Sequence, residues 1–242
     1  MHIGFILDGN GRWASNKGLP RAIGHKRGAE NVEIILRECL RLNIQHVTLY
    51  AFSTENWQRP IYEVKALMSL FKYFLNKKLT QLHEENVKVA FIGDISPFSK
   101  IIQKYIKNLE DLTKDNDGMH LNLALNYGGR DEIVRATKRI SSLILKKQIN
   151  IEQIDEDMFS HNLDNGSEPD PDLIIRTAGE RRLSNFLLWQ SAYSELYFSD
   201  KTWPDFSNRD LELALTEYQR RTRKFGGLQK TKSAESSIKS FR

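Results

Sequence analysis

The chain has 242 residues, 40% of them hydrophobic, enough to bury one large core, and it contains no run of about eighteen apolar residues that could span a bilayer. A formal net charge of +5 favours an anionic partner, whether nucleic acid, phosphate or a membrane surface, and the single cysteine, Cys39, excludes an internal disulfide. No basic region precedes an apolar one at the start, so a cytoplasmic protein is expected.

Short runs rich in β-branched residues alternate with longer amphipathic stretches, the pattern of strands separated by helices in a mainly parallel sheet. A first strand at residues 3–7 runs into Asp8-Gly9-Asn10-Gly11-Arg12-Trp13, which reads as a turn. Arg21, His25, Lys26 and Arg27 then lie ahead of a helix expected at 29–42, on which Cys39 falls in with Val32, Ile35, Leu36 and Leu40 as a buried thiol. A strand at 46–52 leads through Ser53-Thr54-Glu55-Asn56-Trp57-Gln58-Arg59-Pro60 into a helix at 62–86. On that helix Val64, Leu67, Met68, Phe71, Phe74, Leu75, Leu79 and Leu82 form a wide apolar stripe, which either packs on the sheet or lines a channel for an apolar substrate. Strands follow at 87–92, 121–126, 173–176 and 195–198, with helices at 96–116, 130–147, 155–162 and 208–224 and an exposed loop at 164–172. The expected fold is a single α/β domain over residues 1–228, a mainly parallel central sheet flanked by helices. A disordered basic tail is expected at 229–242.

Three strand ends gather groups suited to anions, and open α/β sheets bind ligands beyond the carboxyl ends of their strands. The first offers Asp8, the backbone N–H groups of Gly9 and Gly11, and Arg12, followed by the basic cluster at a helix start. The second offers Asn56 and Arg59 among other polar groups. At the third, Arg176, Arg181 and Arg182 fall within seven residues, with Ser184 close behind, and guanidinium groups bind phosphate oxygens in pairs. The three together are more specific than any one. Neither a P-loop nor a dinucleotide fingerprint is present. Asp8 and Glu195 suit a hard, oxygen-ligated cation such as Mg²⁺ rather than Zn²⁺, although Glu195 could equally serve as partner to a nearby Arg or Lys.

These clusters, in this order, resemble the cis-prenyltransferase family, and within it the bacterial undecaprenyl diphosphate synthases. The matching stretches are Ile6 to Trp13, Gly24-His25, Tyr50 to Pro60, Asn126-Tyr127-Gly128-Gly129-Arg130, Asp172 to Gln190 and Phe225-Gly226-Gly227. The resemblance implies a homodimer whose subunits each carry a hydrophobic tunnel, and sequential cis-condensation of isopentenyl diphosphate onto farnesyl diphosphate to give undecaprenyl diphosphate, the lipid carrier precursor of bacterial cell walls. It implies that Asp8 is essential and places Mg²⁺, with Glu195 contributing to the metal site. Gly9, Asn10, Gly11, Arg12, Arg21 and His25 would hold the allylic diphosphate, and Trp13 and Asn56 would shape the place where the substrates meet. Arg176, Arg182 and Ser184, with Arg59 nearby, would bind isopentenyl diphosphate. Phe225-Gly226-Gly227 would reach into the partner subunit's site, and Ala51 at the tunnel entrance, with Met68, Val87, Val89 and Met119 deeper, would set product length. Release of the product would involve transient contact with a membrane surface.

Three rival readings are weaker. A nucleic-acid-binding module would interleave aromatics with cations on one face, whereas Trp13, Trp57 and Trp189 sit in mixed apolar motifs. A non-catalytic scaffold subunit would lack part of the set that Asp8, Asn56, Arg59, Arg176 and Arg182 complete. A phosphatase using Asp8 as nucleophile would want a second carboxylate where Asn10 stands.

Overall fold

Strands buried on both faces must be apolar at nearly every position, and the six apolar runs become strands within one residue of the expected ends. The computed structural model describes residues 1–164 and 166–221. In chain order the elements are β1 (His2–Ile6), α1 (Asn10–Asn16), α2 (Arg21–Arg41), β2 (His46–Ser53), α3 (Ile61–Glu84), β3 (Lys88–Ile92), α4 (Lys100–Thr113), β4 (His120–Tyr127), α5 (Gly129–Leu145), α6 (Glu156–His161), β5 (Leu173–Arg176), β6 (Glu195–Phe198) and α7 (Asn208–Arg220). They form one sheet of order β3-β4-β2-β1-β5-β6 in which every neighbouring pair is parallel. All carboxyl ends therefore open on one edge, and the connection from β4 to β5 crosses over β2 and β1 to place β5 beside β1.

The two-residue period of the strands sorts side chains between the two faces. Ile3 and Phe5 of β1, Leu173 and Ile175 of β5 and Leu121, Leu123 and Leu125 of β4 join the main core with the buried faces of α2, α3, α4 and α7. Ile6, Ala124 and Ile174 face the other way, into a smaller core closed by Tyr127, Phe186 and Leu187.

Helix α1 occupies the segment read as a turn, and α2 begins at Arg21 rather than at residue 29. Glycine and asparagine lower helix propensity, but tertiary contact overrides it here. Gly24 and Gly28, one turn apart on α2, let α1 approach so closely that a Cβ at Gly24 would stand 1.9 Å from the Asn10 carbonyl oxygen and one at Gly28 2.1 Å from Asn10 Oδ1. The basic cluster thus lies within the first turns of α2 instead of ahead of it.

The loop at 164–172 is less exposed than expected. Asp164 is fixed by Arg135 and Arg139 and accepts the Gly93 N–H, while Glu168 meets His46 and His120. Helix α7 ends at Arg220. The side chain of Leu79, the Phe225-Gly226-Gly227 segment and the tail from 229 lie outside the described residues.

Candidate active site

Beyond the carboxyl ends of β1, β2 and β5 lies a cavity of about 560 Å³, lined by Asp8, Gly9, Asn10, Gly11, Arg12, Arg21, His25, Asn56, Arg59, Arg176 and Ser184. Eleven of the fourteen residues singled out from the sequence are thereby brought together. Trp13, Arg182 and Glu195 are not.

Asp8 follows β1 directly. Its Oδ2 accepts from Arg176 at 2.9 Å and lies 3.4 Å from Arg12, and its Oδ1 accepts the Gly9 N–H at 2.7 Å. Burial alone would raise its pKa, but the Arg176 hydrogen bond and charge, the Gly9 N–H and Arg12 outweigh it and hold the carboxyl below its ordinary value. Gly9 has φ +98°, and a Cβ there would meet Ala178 Cβ at 2.8 Å and Thr202 Cβ at 2.9 Å, so the turn into α1 requires glycine.

Arg176 is itself buried on β5. One guanidinium nitrogen donates to the Arg182 carbonyl at 2.5 Å and to Ser184 Oγ at 2.6 Å, another reaches Asp8, and Nε has no acceptor. The segment behind it is conformationally costly: Ala178, Ser184, Asn185 and Leu187 all have positive φ. Arg182 contributes its carbonyl, while its own guanidinium is exposed and pairs with Glu180. Asn185 braces the far wall, accepting the Gly129 and Arg130 N–H groups and donating to Glu55 at 3.0 Å. The Asn126 to Arg130 stretch thus supports the cavity from behind.

The sequence reading missed Glu63, in the first turn of α3. Its carboxylate, 4% exposed, takes Arg21 Nε at 3.1 Å, His25 Nε2 at 3.1 Å and Arg59 at 3.1 Å. Burial raises its pKa, but His25, Arg59 and Arg21 together pull it below the ordinary value, so it is ionised at neutral pH. His25 is shifted down by burial and by Arg59 and Arg21, against the opposing pull of Glu63, and is neutral at pH 7. One buried anion therefore aims three cavity-lining side chains. The i,i+4 spacing of Arg59 and Glu63 was the available sequence signal.

Asn56 lies in the 3₁₀ turn Thr54–Gln58, where its Oδ1 accepts the Ser53 N–H at 3.1 Å. Trp13 points away from the cavity: its indole N–H donates to Asp205 at 2.8 Å and Lys17 covers its ring. Glu195 starts β6, in register with Leu173 at the opposite end of the sheet from Asp8, and pairs with Arg221 at 2.8 Å. Within one chain the two proposed metal carboxylates are not assembled, because parallel strands carry their first and last residues to opposite edges.

A second, apolar cavity of about 110 Å³ adjoins the first and shares Leu7, Asn10, His25, Ala51 and Leu67 with it. Its depth is formed by Leu70, Phe71, Phe74 and Leu75 of α3 against Phe91, Leu123 and Leu125 of the sheet. Met68, Val87, Val89 and Met119, expected deeper in a channel, do not line it. The last three are buried in the main core.

A pocket rich in guanidinium groups and backbone N–H donors, opening onto an apolar one, suits a polyanion that carries a hydrocarbon. The donor set also fits magnesium, which takes one or two carboxylates and completes its shell with substrate phosphates and water: Asp8 is ionised, half-buried and lines the larger cavity.

Residues 6–226 match the family model described as "Putative undecaprenyl diphosphate synthase". The chain is 50% identical over 227 residues to an isoprenyl transferase of Clostridium tetani, covering 94% of this chain and 89% of that protein. It is 46% identical over 226 residues to a ditrans,polycis-undecaprenyl-diphosphate synthase ((2E,6E)-farnesyl-diphosphate specific) of Legionella pneumophila, covering 93% and 95%. Among solved structures, lavandulyl diphosphate synthase from Lavandula x intermedia, in complex with dimethylallyl diphosphate, superposes with a TM-score of 0.91 at 37% identity, covering 93% of this chain and 98% of that one. With the fold, the cavity and these likenesses in agreement, the chain belongs to the undecaprenyl diphosphate synthase family of cis-prenyltransferases.

Proposed function

We propose that this enzyme condenses isopentenyl diphosphate repeatedly, in cis, onto farnesyl diphosphate to give undecaprenyl diphosphate for cell-wall synthesis in the cytoplasm. The observation that carries the reading is the shared wall of Leu7, Asn10, His25, Ala51 and Leu67, across which a cationic cavity continues into an apolar one. Departure of an allylic diphosphate places negative charge on the leaving group, and the first-turn amides of α1 at Asn10 and Gly11, with Arg12 and Arg21, would receive that charge. His25, neutral, spends its one N–H on Glu63 and so lines the pocket without adding a cation. Arg176, Ser184 and Arg59 hold the second diphosphate, Arg182 joining them by leaving Glu180, and Asn56 positions the reacting ends. Mg²⁺ held by Asp8 would neutralise diphosphate charge.

Five carbons leaving water are worth roughly 4 kcal/mol per added unit, at about 0.8 kcal/mol per CH₂. The apolar cavity of about 110 Å³ has room for only a short hydrocarbon, so growth requires α3 to separate from the sheet and open a tunnel. The active form is a homodimer in this reading. Glu195, on edge strand β6 and remote from its own Asp8, can contribute to a metal site only from a second subunit. Release of the finished lipid would then take place at a membrane surface.

The test is incorporation of labelled isopentenyl diphosphate into butanol-extractable lipid with farnesyl diphosphate, with and without Mg²⁺. Magnesium-dependent product of undecaprenyl length supports the proposal. A folded protein that makes no lipid with any allylic primer overturns it.

A further inference from the structure

The opposite edge of the sheet, where the strands begin, carries a second cluster that prenyl transfer leaves unused. His2, His46 and His120 are the first residues of β1, β2 and β4, and the parallel register sets them side by side in a row on one face. Glu168, from the loop before β5, reaches over this row. One carboxylate oxygen accepts from His120 Nδ1 at 2.8 Å, and the other is hydrogen-bonded to His46 Nδ1. The two imidazoles stand edge to face with centroids 4.9 Å apart. Their side chains and that of Glu168 are between 13% and 27% exposed. About 20 Å of strand separates this edge from Asp8, at roughly 3.3 Å per residue.

We propose that His46 Nδ1, His120 Nδ1 and the Glu168 carboxylate form a binding site for a divalent transition metal of the imidazole-preferring kind, Zn²⁺ being the type ion, remote from the diphosphate pocket. Their ligand atoms all lie within 4.8 Å of one another, and among the described residues no other group of three His, Cys, Asp or Glu side chains converges in this way. A tetrahedral ion with bonds of about 2.0–2.1 Å wants ligand atoms roughly 3.4 Å apart, so shifts of about an ångström complete the geometry. Two histidines and one carboxylate leave a fourth position for water. Imidazole donors select against Mg²⁺, which separates this site from the one at Asp8.

The surroundings favour a cation. Glu168 already sits between the two imidazoles, one carboxylate oxygen on each Nδ1. His2, the third member of the row, is occupied elsewhere. A carbonyl can only accept, so His2 Nδ1 donates to Pro169 O at 2.6 Å, and Nε2 is left to accept from Thr48 Oγ1 at 2.8 Å. With its pKa lowered to about 4, His2 is neutral and does not repel an ion beside His46. The Pro169 contact also anchors the loop that presents Glu168. Besides the small shifts in position, metal binding needs each imidazole to carry its proton on Nε2, which frees Nδ1 and replaces the two hydrogen bonds to Glu168. The bound ion would tie the loop before β5 to β2 and β4.

The test uses the full-length, tag-free protein stripped with a chelator and titrated with Co²⁺. The expected result is the visible absorption of four-coordinate cobalt, saturating at one ion per chain and displaced by Zn²⁺. It should be lost in His46→Gln and in His120→Gln and retained in Asp8→Ala. Zn²⁺ should also raise the Tm of the wild-type protein by several degrees where an equal concentration of Mg²⁺ does not, a readout that needs no variant. Absence of the cobalt band and of the Zn²⁺ shift overturns the proposal, as does a band that survives both histidine substitutions or disappears with Asp8.

Discussion

Arg176 reaches from β5 to the residue just beyond β1 and donates to Asp8 Oδ2 at 2.9 Å, so the carboxylate proposed to hold the metal is already paired with a buried guanidinium whose Nε has no acceptor. The pair is poised for exchange: an incoming diphosphate offers Arg176 new oxygen partners, and a cation offers Asp8 a new charge.

Asp8→Ala removes that anchor. Transfer should fall by about 10²–10³-fold or more, the scale of losing one positioned electrostatic group. Arg176 would keep its bonds to the Arg182 carbonyl and Ser184 but lose its counter-charge, and those bonds with partial solvation limit the stability cost to about 1–3 kcal/mol. Steady-state kinetics with thermal unfolding checks both, and an Asp8→Ala enzyme of near-normal kcat would remove Asp8 from the chemistry.

Glu63→Gln keeps the shape of the side chain but not the charge that aims Arg21, His25 and Arg59. The KM for the allylic substrate should rise roughly tenfold, equivalent to about 1.4 kcal/mol, with a smaller change in kcat. A loss confined to kcat would mean that Glu63 acts on the reaction rather than on binding.

Ala51 lies where the two cavities meet, so a larger side chain there obstructs the hydrocarbon and leaves the diphosphate groups untouched. Ala51→Leu should shorten the product, read by chromatography, while the KM for isopentenyl diphosphate changes by less than about threefold. The same enlargement at Val89, which lies in the main core outside the cavity, should lower stability by about 1–3 kcal/mol instead.

His2 gives the fold an acid-sensitive term. Burial lowers its pKa from 6.5 to about 4, so between these values the unfolded chain binds a proton that the folded chain refuses, and stability falls as the pH falls. The full contribution is present above 6.5 and amounts to about 3 kcal/mol, at 1.36 kcal/mol per unit. Urea unfolding at about pH 7.5 and pH 4.5 should show a shallower pH dependence in His2→Gln than in wild type. Equal slopes would mean that His2 is not the group responsible.

The strands were legible because a parallel strand buried on both faces has to be written as an unbroken apolar run, as in Leu173 to Ile175. The meeting of three strand ends in one cavity followed from that, since topology alone puts Asp8, Asn56 and Arg176 on one edge. Helix α1 was not legible. Its glycines and asparagine speak for a turn, and only the approach of α2 makes a helix of them. Glu63 was hidden for a different reason: an acid in the first turn of a helix is ordinary, and its three partners come from two other segments. The outward aim of Trp13 and the pairing of Arg182 with Glu180 depend on packing against Asp205 and on local loop geometry, neither of which has a sequence period.

At Gly24 and Gly28 the molecule depends on atoms it does not have. The backbone amides of Gly9 to Gly11 stand where they do because α1 rests directly on the bare backbone of α2, and a single methyl group at either position would have to push α1 away. Such a change alters no charge, yet it would move the proposed phosphate cradle bodily. The precision of the site is set partly from behind, by the thickness of a helix stripped to its main chain.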